Sequence, residues 1–158
     1  LYQKVKEGNV NYLRRMLKDG LDPDQPINGE YLINLPLNVD NLYYTNGLNI
    51  LKLLLQYNAD PNIQDEFGQT PLMHLFKNFY HNDDVLLNVV HATANPPNYE
   101  EYYDRVIAGK FVKQRIRLLL EAGADIAIED IYGKDAMYYA DESELDYLLR
   151  EELWRILS

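Results

Sequence analysis

With 158 residues the chain has room for one domain with a real core, and not for two ordinary ones. At 47% apolar and 25% charged it has the composition of a globular protein rather than a disordered tail, and no apolar run approaches the roughly 18 to 20 residues of a membrane-spanning helix. The formal charge of −10 is concentrated in residues 80–158, where sixteen acids face eight Lys and Arg; a field of that sign repels phosphate backbones, which disfavours nucleic acid and favours a basic protein partner.

The first amphipathic run, Tyr12–Leu17, ends in Leu17-Lys18-Asp19-Gly20-Leu21-Asp22-Pro23-Asp24. The same closing returns as Leu55-Gln56-Tyr57-Asn58-Ala59-Asp60-Pro61-Asn62 after Ile50–Leu55, and as Leu120-Glu121-Ala122-Gly123-Ala124-Asp125-Ile126-Ala127 after Ile116–Leu120. Gly20, Asn58 and Gly123 fall where each helix must stop, and Gly and Asn accept the left-handed stop conformation. Two of the stops are followed by an opening, Asp65-Glu66-Phe67-Gly68-Gln69-Thr70-Pro71-Leu72 and Asp130-Ile131-Tyr132-Gly133-Lys134-Asp135-Ala136-Met137. Asp and Gly predict a turn, Thr70 or Asp135 a helix cap, and Pro71 the first helical position. Between the first two closings the opening is degenerate: Asn28-Gly29-Glu30 stands for the turn and Leu35-Pro36-Leu37 for the helix start. Residues 77–109 interrupt the third unit. Asp83-Asp84 precedes Val85, Leu86, Val89 and Val90 at helical spacing, and Asn95-Pro96-Pro97 ends that stretch. Asn98 then caps a stripe of Tyr99, Tyr102, Tyr103, Val106 and Ile107 that Gly109 stops. This reads as two extra helices, or as long extensions of the unit's own pair.

The repeated openings and closings resemble the ankyrin repeat, a unit of about 33 residues with a finger turn followed by two antiparallel helices. Asp65-x-x-Gly68-x-Thr70-Pro71-Leu72 matches the family's opening and Gly123-Ala124-Asp125 its closing. The resemblance implies an all-α solenoid of helix-turn-helix units in a single domain. Its units are an N-terminal cap repeat (1–24), a second repeat (25–62), a third with the insertion (63–127) and a C-terminal cap repeat (128–158). Met73 replaces the usual His of the opening and His74 falls one position late, which implies a turn supported in another way.

Nothing in the sequence points to catalysis. There is no cysteine, so no disulfide, thiolate nucleophile or Cys-ligated zinc, and the composition fits a reducing, cytoplasmic compartment. A targeting peptide upstream of Leu1 would go unseen. His74, His81 and His91 lack the spacing of a helical zinc site, and no phosphate-cradling loop or nucleophile elbow is present, so neither metal nor cofactor is expected. The expected function is that of a non-enzymatic binding module, monomeric when free. Its finger tips and inner helices would present central aromatics with an acidic rim. The candidate contact residues are Asp65, Glu66 and Phe67 on one finger and Glu129, Asp130, Ile131 and Tyr132 on the next, with Tyr99, Glu100, Glu101 and Tyr103 from the insertion. Finer versions are a bacterial immunity or antitoxin-type inhibitor of a basic toxin such as a nuclease, and a host-directed effector or viral adaptor.

Overall fold

The computed structural model describes residues 1–38, 46–80 and 100–158, with side chains described in 1–38, 46–78 and 110–158. All regular elements among them are helical. They alternate between two layers: an inner one of α1 (Tyr2–Lys6), a 3-10 helix (Leu32–Leu37), α4 (Pro71–Tyr80) and α6 (Ala136–Glu142), and an outer one of α2 (Val10–Lys18), α3 (Gly47–Gln56), α5 (Glu100–Glu121) and α7 (Asp146–Leu157). Inner elements pack on inner neighbours and outer on outer, as a solenoid requires. One continuous core joins the units, from Leu13 and Leu17 through Leu32, Ile33 and Leu37, then Leu51, Leu54, Leu72 and Phe76, to Ile116, Leu119, Ala140 and Leu149.

The three closings stop their helices by the expected means, with φ of +104° at Gly20, +62° at Asn58 and +99° at Gly123. They also stitch neighbouring units together. The Asp24 carboxylate accepts the Asp60 N–H (2.9 Å); one unit later, at the same position, the Asn62 side chain accepts the Asp125 N–H (2.7 Å) and donates to the Gly123 carbonyl (3.0 Å). Ala127 holds the corresponding place in the third unit and has no side-chain acceptor to extend the ladder.

Three local expectations are corrected. The second unit's helix starts at Leu32, so Leu35-Pro36-Leu37 lies at its end and Tyr31-Leu32-Ile33 takes the place of Thr70-Pro71-Leu72. The choice follows burial, since Leu32, Ile33, Leu35 and Leu37 all enter the core from that register. Gly109 does not stop a helix; it lies inside α5, which runs unbroken for 22 residues into the predicted Ile116–Leu120 segment. A mid-helix glycine costs only about 1 kcal/mol, too little by itself to end a helix that continues on both sides. For residues 100–109 the extension is therefore the form adopted; the helix read over 83–94 and the stripe's first member, Tyr99, lie outside the described residues. Finally, of the two predicted caps Asp135 is realised, its side chain accepting the Tyr138 N–H at 2.9 Å, whereas the Thr70 hydroxyl is buried without a partner. Thr70 contributes its carbonyl instead, which accepts the His74 N–H at 3.1 Å.

Much of the charge contrast within the second half of the chain is satisfied internally. Glu152 on α7 is buried, and its carboxylate accepts two bonds from Arg117 (2.9 and 3.1 Å) and one from Arg155 (2.9 Å). Arg155 reaches on to Glu121, and Lys113 pairs with Glu151 at 2.6 Å. The Arg117 bonds hold the Glu152 carboxyl below its usual range against the opposing effect of burial. Glu152→Gln should lower stability by about 2 kcal/mol in chemical denaturation, because a buried acceptor loses its charge while the two arginines stay solvated. Arg115, in the same basic run, is buried against Pro36, whose carbonyl accepts from its Nε at 2.7 Å, with its guanidinium 3.4 Å from the Phe111 ring centroid. Burial lowers its pKa to about 9.

Candidate partner-binding face

The fingers of the third and fourth units are each built around an aspartate. In the third unit Asp65 Oδ1 accepts the N–H groups of Phe67 (2.9 Å) and Gln69 (2.8 Å), closing the turn, and Oδ2 lies 2.8 Å from His74 Nε2. In the fourth, Asp130 Oδ1 accepts from Tyr132 (2.9 Å) and Lys134 (3.0 Å), and Oδ2 accepts the Tyr139 hydroxyl. His74 and Tyr139 both stand nine residues after their aspartate. The displaced histidine thus supports the turn through the Asp65 side chain, and a tyrosine does the same work in the next finger. Burial lowers the His74 pKa, against the opposing pull of Asp65, so the ring is neutral at pH 7. Burial and the Asp130 bond together push Tyr139 up to about 12. Burial alone would raise Asp130; the bonds from Tyr139 and the two backbone N–H groups outweigh it and hold the carboxyl low.

The fingers lock onto each other. The Ile131 N–H donates to the Phe67 carbonyl at 3.0 Å, and Gln64 Nε2 bridges the carbonyls of Gly68 (2.8 Å) and Glu129 (3.2 Å). Gly68, at φ +72°, is packed so closely that an added Cβ would sit 3.1 Å from Asp130 Cα and Ile131 N.

This architecture divides the candidate residues. The Asp65 and Asp130 carboxylates are committed to building their turns. Glu66 and Phe67, and Glu129, Ile131 and Tyr132, project to solvent; Phe67 is 44% exposed and Ile131 and Tyr132 are each 63% exposed. Glu100, Glu101 and Tyr103 belong to the first turns of α5, their side chains outside the described set. Beside the tips runs a row that the sequence reading missed: Lys134 lies 4.1 Å from the centroid of the Tyr138 ring, Tyr138 meets Tyr139 edge-on at 5.4 Å, and Lys77 bonds the Gln69 side chain at 2.8 Å. The signal was the i, i+1 tyrosine pair after the Asp135 cap. Also missed was a polar pocket of about 250 Å³ where α1, the second unit's turn, the 3-10 helix, the Asp65 finger and α4 meet, containing Tyr2, Glu30, Tyr31, Asn34 and His74. Its members come from five elements, and no local spacing announces them. Among the described residues no group of three or more His, Asp or Glu side chains is placed to hold a metal ion, and no helix is long and apolar enough to cross a membrane.

Comparison with known proteins agrees with this geometry. The family model described as Ankyrin repeat matches residues 42–66. An ankyrin repeat protein of Acanthamoeba polyphaga mimivirus is 35% identical over 132 residues, 73% of this chain and 22% of that protein. A second mimivirus ankyrin repeat protein is 54% identical over 37 residues, 23% of this chain and 6% of the relative. One from Rickettsia felis is 26% identical over 141 residues, 82% of this chain and 42% of that protein. The chain therefore spans less than half the length of each of these relatives. Repeated closings, aspartate-built fingers, paired helices and these relatives lead to one assignment: the chain is an ankyrin-repeat protein.

Proposed function

We propose that the chain is a protein-binding module whose contact surface is the row of finger tips and adjoining inner helices, and that its partner presents a basic face. The observation that carries this reading is the set of exposed tips, Phe67, Ile131 and Tyr132, flanked by Glu66 and Glu129 and mounted on fingers that hydrogen bonds hold rigid. Large apolar groups fixed on a rigid support lose little entropy on binding, and an acidic rim steers a basic partner toward them. The pairing of α5 with α7 engages Glu121, Glu151 and Glu152 and does not involve the finger acids Glu66 and Glu129, which stay exposed.

The relatives come from a virus and from a bacterium, so the two finer versions are separated by binding behaviour and not by the source of the relatives. An adaptor engages several partners with modest affinity, whereas an immunity protein has one tight cognate. Capture from a lysate with wild-type bait and with a Glu66→Gln/Glu129→Gln bait tests the electrostatic part. Association of a captured partner with wild type should slow at least about tenfold between low and physiological salt, with dissociation changing less, and the double variant should lose much of that dependence. A flat salt response for wild type would remove the basic partner from the proposal.

A further inference from the structure

The row of side chains beside the finger tips carries charge that the turns do not use. In the third and fourth units Lys113, Arg117, Arg150 and Arg155 each hold a carboxylate. Lys77 and Lys134 do not, although the chain's formal charge is −10; among the described residues no carboxylate lies within ion-pair distance of either. Both are half-buried, and each ammonium is laid against neutral groups instead. Lys134 Nζ stands 4.1 Å from the Tyr138 ring centroid, while Lys77 Nζ donates to Gln69 Oε1 at 2.8 Å and lies 5.6 Å from the Tyr139 ring centroid. A ring face or an amide oxygen orients a cation and leaves its charge uncancelled. An ammonium offers three donors, of which Lys77 uses one on Gln69 and keeps the others. The supports are themselves fixed: Gln69 is buried, its Nε2 donates to the Tyr139 hydroxyl at 3.4 Å, and Tyr139 bonds Asp130. The contact face thus bears acid at the tips, on Glu66 and Glu129, and unpaired base at the inner helices.

We propose that Lys77 and Lys134 receive carboxylate side chains of the bound protein, so that a partner basic toward the finger tips presents aspartate or glutamate toward the inner helices. A carboxylate is the complementary group, since it only accepts and its bonds to an ammonium are charge-assisted. A uniformly basic surface would set like charges against both lysines. The pattern therefore fixes the direction in which a partner lies across the fingers, beyond attracting it. Because ring and amide contacts hold the lysines beforehand, little side-chain freedom is lost when the carboxylates arrive. The inference rests on the reading of the tips and inner helices as the contact surface and adds to it the partner's acidic anchors.

The test uses the full chain at low salt, where exposed charges are least screened. N-acetyl-glutamate methylamide, its neutral counterpart N-acetyl-glutamine methylamide, and inorganic phosphate are titrated while the ring signals of Tyr138 and Tyr139 are followed by NMR. The expected result is a saturable shift of both rings with the glutamate probe and at least about tenfold weaker binding of the glutamine probe, since the charge-assisted bonds are lost. Lys77→Gln/Lys134→Gln should abolish the shift and Lys77→Arg/Lys134→Arg should keep it, with both proteins unfolding at nearly the wild-type denaturant concentration. Equal binding of the two capped probes, or no saturable shift with either, would overturn the proposal. So would a shift that survives Lys77→Gln/Lys134→Gln or is lost with Lys77→Arg/Lys134→Arg. A shift with phosphate alone would overturn the assignment to a carboxylate and mark the occupant as a phosphorylated residue. The two readings fail separately: a partner that is lost with the finger-tip residues but held equally well by Lys77→Gln/Lys134→Gln removes only the acidic anchors. Glutamate binding at the lysines with partner capture indifferent to the tips removes only the finger surface.

Discussion

Replacing Asp130 with Ala should destabilise the chain by about 3 kcal/mol in chemical denaturation. One carboxylate satisfies the N–H groups of Tyr132 and Lys134 and the Tyr139 hydroxyl, and Ala leaves all three without their acceptor. The substitution should also change the response to pH in two windows. The folded-state pKa of Asp130 is depressed, so its contribution is present above the ordinary carboxylate range and is lost as pH falls through the folded value. Tyr139 is raised from 10.0 to about 12, so its contribution is complete below pH 10 and is lost as pH rises toward 12. Wild type should therefore lose stability in both windows, and Asp130→Ala should lose visibly less in each. Identical pH profiles would show that the pair does not hold the finger.

Gly68→Ala is the second large effect, expected at about 2 to 3 kcal/mol. The backbone at φ +72° is strained for any residue with a Cβ, and that Cβ would stand 3.1 Å from main-chain atoms of the next finger, which cannot yield as a flexible side chain would. Gly133 provides the internal control. It has nearly the same φ, +70°, and nothing within 4 Å of its would-be Cβ, so Gly133→Ala should carry the conformational part alone and be the milder change. Equal losses at the two positions would mean that finger-to-finger packing contributes nothing.

The repeats were legible because their physics is local. A helix stop needs Gly or Asn, a tight turn needs Asp and Gly a few residues apart, and three closings in phase announce a solenoid before any contact is known. The second unit's register was not legible from its proline, because burial of Leu32 and Ile33 decides it and burial is a property of the stack. Gly109 misled because a glycine's cost of about 1 kcal/mol is a weak local signal, and the helix runs through it from Glu100 to Glu121. Among the contact candidates, sequence identified the finger tips and could not separate the aspartates that build turns from the glutamates that face water. The distinction lies at the ninth residue onward, where His74 and Tyr139 claim the second carboxylate oxygen. The buried Glu152 looked like one more member of an acidic run, since its arginine partners lie 35 positions upstream and three downstream.

The central claim is that the exposed finger tips make the contact. It is tested most directly by the affinity of a captured partner for wild type, for Phe67→Ala/Tyr132→Ala and for a control, Lys52→Ala on the outer helix α3. All three proteins should unfold at nearly the same denaturant concentration, because each altered side chain is exposed. The account predicts that the finger-tip variant loses at least about 2 kcal/mol of binding free energy, as removal of central aromatic anchors does, while the control binds as wild type does. Equal affinity of all three would place the contact elsewhere on the solenoid and contradict the account.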